Sequence, residues 1–194
     1  MVNDQNQGGM PNGYSSVLAL SEKVGFTMPS EVRVGSLLRT LIASKPNAHV
    51  LELGTGTGLS LSWMIDGLDQ GASLVSVDND RQLSHLVSRV FGGDERVNIV
   101  CKDGFEWIST YAGEPFDLIF ADTWPGKYEG LEETLKLLKI GGFYVVDDME
   151  PQANWPEGHQ RKANNLIQVL EQRDDMTMTK MKWATGLIIA VKNK

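Results

Sequence analysis

Three glycines at alternate positions, Gly54, Gly56 and Gly58, follow a short apolar segment of the chain. That segment, residues 49–53, has the composition of a buried parallel strand, and residues 59–68 have the apolar spacing of a helix. Glycine lets the backbone approach a ligand closely, and the N-terminus of the next helix offers unpaired N–H groups. The pattern therefore predicts a turn that binds a nucleotide-like cofactor. The predicted contacts in this turn are Gly54, Thr55, Gly56, Gly58 and Ser60.

Glu52 precedes the first glycine by two residues and bears on the kind of cofactor. The dinucleotide pattern is G-x-G-x-x-G, whereas the last glycine of this turn comes one residue earlier. A pyrophosphate needs N–H groups without a negative charge nearby, and a carboxylate favours a ligand that carries an ammonium group or hydroxyl donors. We therefore predict that Glu52 binds the cofactor, and its charge argues against NAD. A glycine-rich turn without a cofactor is the alternative.

Asp78 ends a second apolar, alternating segment, residues 72–77, at about the spacing from the glycines where a ribose-binding acid is found. A carboxylate in this position accepts hydrogen bonds from both hydroxyls of a ribose, and such charge-assisted bonds are strong. We therefore expect Asp78, with its neighbour Asn79, to bind a ribose. Asp80 suits a different role, because it lies directly before a predicted helix and can act as its N-cap.

The order E-x-G-x-G-x-G, followed by V-D after the second strand, resembles the class I S-adenosylmethionine-dependent methyltransferases. Residues 114–122 resemble the fourth strand of that family with its terminal Asp122. Residues 137–148 resemble its helix that ends in glycine and its fifth strand. The resemblance implies a methyltransferase with S-adenosylmethionine as cofactor and Asp122 as one of its contacts. The residues that it implies around the adenine are Asp103, Gly104 and Phe105.

Within that superfamily, residues 25–194 are similar to the small O-methyltransferases of the catechol O-methyltransferase-like group. Three segments carry this narrower likeness: F-x-D-x-W-x-x-K-Y at residues 120–128, V-V-D-D at residues 145–148, and the apolar final strand at residues 184–192. The resemblance implies transfer of a methyl group to a small, aromatic or catechol-like hydroxyl acceptor.

A metal site is a further implication of this resemblance. In the related enzymes an Asp after the fourth strand and an Asp-Asn pair after the fifth hold a divalent ion, and the matching residues here are Asp122, Asp147 and Asp148. Hard cations such as Mg²⁺ prefer oxygen ligands, and a bound ion lowers the pKa of an acceptor hydroxyl as a Lewis acid. We therefore expect Mg²⁺ or a similar divalent cation. Asp148 departs from the group's Asn and adds a negative charge.

The predicted catalytic residues are Asp122 and Lys127. The group's general-base lysine falls three residues after the Asp of the fourth strand, and this chain has Pro125 there, which cannot take a proton. Lys127 is expected to reach the site from a rearranged loop, and a solvated loop lysine is the alternative. Methyl transfer depends mainly on proximity and orientation, so the departure does not exclude activity.

Strand and helix patterns alternate after residue 44 and end in two strands without a helix between them. Alternating units predict helices on both faces of a parallel sheet. We predict an α/β fold, namely a doubly wound, mostly parallel seven-stranded sheet of the Rossmann-like methyltransferase type with a C-terminal antiparallel hairpin. Residues 1–13 are predicted to be a flexible tail, and residues 14–194 a single methyltransferase domain.

The composition limits the partners. The 194 residues carry a formal net charge of −7 without a dense Lys/Arg cluster. This disfavours nucleic acid, whose binding depends on neutralising phosphates. The chain has no apolar run of about 18 residues and no basic-then-apolar leader, so we expect no membrane association. The single cysteine, Cys101, falls in a strand expected to be buried, and a reducing cytoplasm is the expected compartment.

A small-molecule methyl acceptor is the expected partner, and a homodimer stays an open alternative. Two other functions also remain open. One is a metal-independent methyltransferase acting on another small molecule or an RNA nucleoside. The other is a nonenzymatic protein that binds S-adenosylmethionine. The acceptor itself has no portable motif, because acceptor loops vary most.

Overall fold

Strands and helices alternate along most of the chain in the computed structural model, which describes residues 8–194. The strands are β1 (His49–Leu53), β2 (Ser73–Asp78), β3 (Val97–Cys101), β4 (Phe116–Ala121), β5 (Leu138–Val146), β6 (Met176–Met181) and β7 (Leu187–Lys192). The helices are α1 (Tyr14–Val24), α2 (Val32–Ala43), α3 (Leu59–Gly67), α4 (Arg81–Phe91), α5 (Gly104–Thr110), α6 (Leu131–Lys136) and α7 (His159–Glu171).

The strands form one sheet in the order β3-β2-β1-β4-β5-β7-β6. The first five strands pair in parallel, and β7 runs antiparallel to both of its neighbours, β5 and β6. The predicted α/β fold, with its mostly parallel seven-stranded sheet and C-terminal antiparallel hairpin, is confirmed. The strand order reverses between β1 and β4, and open sheets of this kind bind ligands beyond the carboxyl ends of the strands at such a point.

Apolar side chains cover both faces of the sheet. On one face, Leu38 of α2 and Trp63 of α3 belong to a buried cluster, and Gly35 allows α2 to approach α3, since a Cβ there would lie 2.3 Å from the Trp63 ring. On the other face, Ile108 of α5 and Leu166 of α7 belong to a second cluster. The strands between them are therefore rigidly held, and their carboxyl ends offer fixed positions for functional groups.

The connection into β5 differs from the prediction. The family resemblance implies a helix that ends at the glycine pair, residues 141–142, but α6 ends at Lys136 and residues 138–146 form a strand. Leu138 pairs with Phe116 of β4, so pairing within the sheet outweighs the local preference for a helix. The register with β4 then shifts, and Gly141 has φ +78°, a conformation that glycine adopts at little cost.

Cys101 also differs from the prediction, because its side chain is exposed rather than buried. It is the last residue of β3, which is an edge strand of the sheet and pairs only with β2 among the described strands. The strand pattern identified β3 correctly, but a pattern in one strand does not reveal that the strand lies at an edge.

The predicted flexible tail falls partly outside the described residues, which begin at residue 8. Residues 8–13 lie against the domain. Arg39 Nη1 donates a hydrogen bond to the Gly9 carbonyl oxygen at 3.1 Å, and Pro11 is buried. Within residues 8–194, no helix has the length and apolar character needed to cross a membrane.

Candidate active site

A cavity of about 570 Å³ opens where β1, β2 and β4 end, and it contains most of the predicted site residues. The predicted cofactor contacts that line it are Gly54, Thr55, Gly56, Ser60, Asp78, Asn79 and Asp122. Lys127 and Asp148 line the same cavity. The structure therefore brings the predicted cofactor contacts and the predicted catalytic residues to one place.

The glycine turn has backbone angles that require glycine. Gly54, Gly56 and Gly58 have φ of +101°, +51° and +88°. A Cβ on Gly54 would lie 3.0 Å from the Asp122 carbonyl oxygen, and one on Gly56 would lie 2.9 Å from the Phe26 ring. Gly58 does not line the cavity; it is the N-cap residue of α3 and offers no side-chain acceptor to the first N–H groups of that helix.

Asp78 joins this turn to the end of β2. Its Oδ2 accepts a hydrogen bond from the Gly56 N–H at 2.8 Å, and its Oδ1 accepts one from the Asp80 N–H at 2.8 Å. A carboxylate has further lone pairs, so this one can still accept hydrogen bonds from a ligand in the cavity. Asp80 caps α4 by accepting from the N–H groups of Gln82 and Leu83, which confirms its predicted role as an N-cap.

Glu52 lies beneath the turn rather than in the cavity lining. Its side chain is fully buried and accepts hydrogen bonds from Ser60 Oγ at 2.6 Å and Ser76 Oγ at 2.5 Å. Burial raises the pKa of Glu52 to about 7, although both hydroxyl groups stabilise the ionised form. Glu52 therefore positions Ser60, which does line the cavity, and a direct contact of Glu52 with the cofactor stays a prediction.

The residues predicted around the adenine lie outside the cavity lining. Asp103 is the N-cap of α5 and accepts a hydrogen bond from the Glu106 N–H at 2.9 Å. Gly104 is the first residue of that helix, and Phe105 is 37% exposed. Their contact with the cofactor also stays a prediction.

The three carboxylates predicted to hold a metal lie at the ends of β4 and β5. Asp122 Oδ2 accepts a hydrogen bond from Ser30 Oγ at 3.0 Å. Asp147 Oδ1 accepts hydrogen bonds from the Thr185 hydroxyl and from the Asp148 N–H. Asp148 has φ +55°, which is rare for a residue with a side chain and tends to persist where the surrounding structure requires it.

Burial controls the protonation of these carboxylates. It raises the pKa of Asp122 well above its usual range, and the neighbouring charge of Asp147 adds to the effect. It raises the pKa of Asp147 to about 6, and Asp148 adds to that increase. The pKa of Asp148 is raised as well, again mainly by burial. Lys127 opposes all three increases, because its positive charge favours the ionised carboxylates.

Lys127 is buried beside these carboxylates, with 4% of its surface exposed. Its Nζ donates a hydrogen bond to the Asp147 carbonyl oxygen at 2.6 Å. Burial lowers the pKa of Lys127, and the charges of Asp122, Asp148 and Asp147 act in the opposite direction. Lys127 therefore reaches the interior from a rearranged loop and is not a solvated loop lysine.

The loop after β4 explains how Lys127 reaches the interior. Gly126 has φ +87°, and the Lys127 N–H donates to the Trp124 carbonyl oxygen at 3.1 Å, which turns the chain inward. The Tyr144 hydroxyl donates to the Gly126 carbonyl oxygen at 2.5 Å. A Cβ on Gly126 would lie 2.4 Å from Leu53 Cδ1. Sequence spacing alone does not contain these contacts.

Aromatic side chains line part of the same cavity. The His159 ring stacks on Trp155 with centroids 4.3 Å apart. The Tyr128 hydroxyl and His159 Nε2 are 3.1 Å apart, and Trp124 meets both rings edge-on. Burial lowers the pKa of His159. Such a set of rings suits contact with a flat aromatic ligand.

The chain matches the methyltransferase domain family over residues 51–149, which is about half of its length. The protein belongs to this family. The resemblance to the class I S-adenosylmethionine-dependent methyltransferases is therefore confirmed.

A relative from Mycobacterium avium, named "Putative O-methyltransferase", is 29% identical over 118 residues, which cover 58% of this chain and 53% of the relative. The match thus spans about half the length of that protein. Among solved structures, the O-methyltransferase from Bacillus cereus in complex with SAH has a TM-score of 0.81 at 20% identity and covers 93% of this chain and 90% of its own. The O-methyltransferase TomG from Streptomyces achromogenes, in complex with SAM, has a TM-score of 0.84 at 20% identity, with 96% and 92% covered.

Proposed function

We propose that this protein is an S-adenosylmethionine-dependent O-methyltransferase that acts on a small aromatic hydroxyl compound. The observation that carries the proposal is that Gly56 and Asp78 line the same cavity as Asp122 and Lys127. The glycine turn and Asp78 suit a ribose-containing cofactor, and the acidic, basic and aromatic groups of the same cavity suit an acceptor. The similarity to O-methyltransferases supports the same assignment.

The cofactor half of the proposal depends on the turn after β1. Bound S-adenosylmethionine supplies an electrophilic methyl group on its sulfonium sulfur. Gly54 and Gly56 line the cavity and allow the turn to pack closely against Asp122 and Phe26, and Asp78 accepts hydrogen bonds from the ribose hydroxyls. Phe26, which lies close over Gly56, forms part of the same cavity wall.

Binding and activation of the acceptor depend on the buried charged groups of Asp122 and Lys127. Bound S-adenosylmethionine would supply its methyl group to the acceptor oxygen and leave as S-adenosylhomocysteine, and the Asp122 carboxylate would take the hydroxyl proton. Because burial raises the pKa of Asp122, its ionised form is a stronger base than an exposed aspartate. The Lys127 ammonium group stabilises the negative charge that develops on the acceptor oxygen. The rings of Trp124 and Trp155 enclose the flat body of the acceptor.

The experiment that tests this proposal is transfer of label from methyl-labelled S-adenosylmethionine to a panel of phenols and catechols. Matched compounds that carry an amine or a carboxylate in place of the hydroxyl serve as comparison. We expect label only in the hydroxyl compounds. Label confined to amines or carboxylates would overturn O-methylation, and tight cofactor binding without any turnover would favour the nonenzymatic alternative.

A variant pair tests the role of Asp122. Asp122→Asn should lower the turnover number by about a hundredfold or more, the usual range for a lost general base. Asp117→Asn is the matched control, because Asp117 lies on β4, which ends directly before Asp122, and pairs with Lys139 outside the cavity lining. The control should keep its turnover number. Equal losses in both variants would remove Asp122 from the proposed mechanism.

A further inference from the structure

The carboxylates after β4 and β5 already have a cation near them, and it belongs to the protein. Lys127 Nζ lies 2.6 Å from the Asp147 carbonyl oxygen, and the side chain is nearly inaccessible to solvent. The carboxylates of Asp122, Asp147 and Asp148 all interact electrostatically with it. An ammonium group in this position balances part of the charge that a divalent ion would otherwise balance.

The oxygen atoms that a metal ion would need are also partly engaged. Asp147 Oδ1 accepts from the Thr185 hydroxyl and the Asp148 N–H, and Asp122 Oδ2 accepts from Ser30. Across residues 8–194, no three His, Cys, Asp or Glu side chains are arranged to hold a metal ion. The donor set therefore does not fit the predicted Mg²⁺ site.

The positive charge of Lys127 also disfavours a metal ion at these carboxylates. Two positive charges in one buried site repel strongly. Moving Lys127 out of this position costs free energy, because Gly126 is held by the Tyr144 hydroxyl and packs against Leu53. The loop thus holds the lysine beside the Asp147 backbone, where its charge acts on all three carboxylates.

We propose that the Lys127 ammonium group replaces the divalent cation, so that this protein neither binds nor requires Mg²⁺ at these carboxylates. The binding statement is independent of the proposed O-methyltransferase function, whereas the statement about turnover rests on it. The charged lysine takes over the electrostatic task of the ion, namely stabilising the acceptor oxygen as it becomes an anion.

The first test is direct binding of Mn²⁺, a spectroscopic substitute for Mg²⁺, measured by electron paramagnetic resonance on the full-length protein. We expect no stoichiometric binding at about 1 mM Mn²⁺, a concentration that fills even weak protein sites. One equivalent bound to the wild type and lost in Asp147→Asn would overturn the proposal. This measurement needs no turnover and no cofactor.

The second test removes the internal cation. Lys127→Met keeps the length of the side chain but not its charge, and Lys127→Met/Asp148→Asn gives the two carboxylates and one amide that the resembled enzymes use. We expect at least the double variant to gain one equivalent of Mn²⁺. Lys162→Met is the matched control, because Lys162 is exposed and contacts Trp124 at the edge of the same cavity. If Lys162→Met gained Mn²⁺ binding, or if a folded double variant did not gain it, the replacement of an ion by Lys127 would be contradicted.

The third test separates this inference from the proposed function. Wild-type turnover on any acceptor found should be the same in chelator and in excess Mg²⁺, and a rise of tenfold or more with Mg²⁺ would overturn the inference alone. If no acceptor turns over, O-methylation fails while the Mn²⁺ measurements still decide whether Lys127 stands in for the ion. Where Lys127→Met does not fold, the wild-type Mn²⁺ measurement decides by itself.

Discussion

The Asp78 carboxylate accepts a hydrogen bond from the Gly56 N–H at 2.8 Å, which joins the end of β2 to the glycine turn after β1. The two strands are neighbours in the sheet, with Leu53 opposite Val77, so their carboxyl ends necessarily meet. One carboxylate thus supports the turn and faces the cavity that the turn forms. The cofactor site depends on both functions of this side chain.

Replacing Asp78 should weaken cofactor binding far more than it lowers the stability of the fold. Asp78→Ala is expected to lower the affinity for S-adenosylhomocysteine by about 10- to 150-fold, the scale of hydrogen bonds to a charged group. Isothermal titration calorimetry measures this change. Asp69→Ala is the control, because Asp69 also accepts backbone N–H bonds, from Asn47 and Gly71, but at the other end of β2. Unchanged affinity in Asp78→Ala would rule out the ribose contact.

A methyl group at Gly126 should disturb the position of Lys127. Gly126→Ala places a Cβ 2.4 Å from Leu53 Cδ1 at a backbone with φ +87°, so both a clash and backbone strain are introduced. Gly141→Ala has φ +78° but meets nothing within 4 Å, and it should cost only the strain, about 1 kcal/mol. Urea unfolding should show a clearly larger loss for Gly126→Ala, together with reduced turnover. Equal losses of unfolding free energy in the two variants would mean that the loop after β4 accommodates the added methyl group.

Glu52 should make the protein less stable as the pH rises. Its pKa in the folded protein is about 7, against an ordinary value of 4.5, so between these values the folded state binds more protons than the unfolded state. Stability from this group is therefore complete below about pH 4.5 and is lost as the pH rises through 7, by about 3 kcal/mol in all. Glu52→Gln removes that dependence.

Urea unfolding of wild type and Glu52→Gln between about pH 5 and 8 checks this prediction. The difference in unfolding free energy should change in favour of the variant as the pH rises. Glu157→Gln, at an exposed glutamate, should follow the wild type throughout. Parallel curves for wild type and Glu52→Gln would show that Glu52 does not titrate in this range.

Trp155 should affect the acceptor and not the cofactor. Its ring lines the cavity and stacks on His159 with centroids 4.3 Å apart. Trp155→Ala should raise the acceptor KM by about 2- to 12-fold, the value of one aromatic contact, and leave the affinity for S-adenosylhomocysteine unchanged. Steady-state kinetics with the acceptor varied measure the effect. Weaker cofactor binding with an unaltered KM would place the acceptor elsewhere.

Features that depend on neighbouring residues in the chain could be predicted from the sequence. The glycine turn, Asp78 at the end of β2 and the N-cap Asp80 are examples, because strand, turn and cap each have a local pattern. The parallel sheet followed from the alternation of these patterns, and its antiparallel hairpin from the two final strands.

Features that depend on distant contacts could not be predicted in the same way. The burial of Lys127 depends on the conformation of Gly126 and on Tyr144, which lies in another strand. The bond from Thr185 to Asp147 joins residues 38 positions apart. The resemblance to related enzymes implied three metal-binding carboxylates. Whether a metal ion fits there depends on the residues around them, which the resemblance does not reveal.

The cavity beside β1 and β2 is expected to bind S-adenosylmethionine. The most direct measurement is a thermal-shift titration with S-adenosylhomocysteine and, separately, with NAD. At about 100 times its dissociation constant, S-adenosylhomocysteine should raise the melting temperature by roughly 5 to 10 °C, and NAD should leave it unchanged. No shift with S-adenosylhomocysteine, or a shift with NAD instead, would contradict the account.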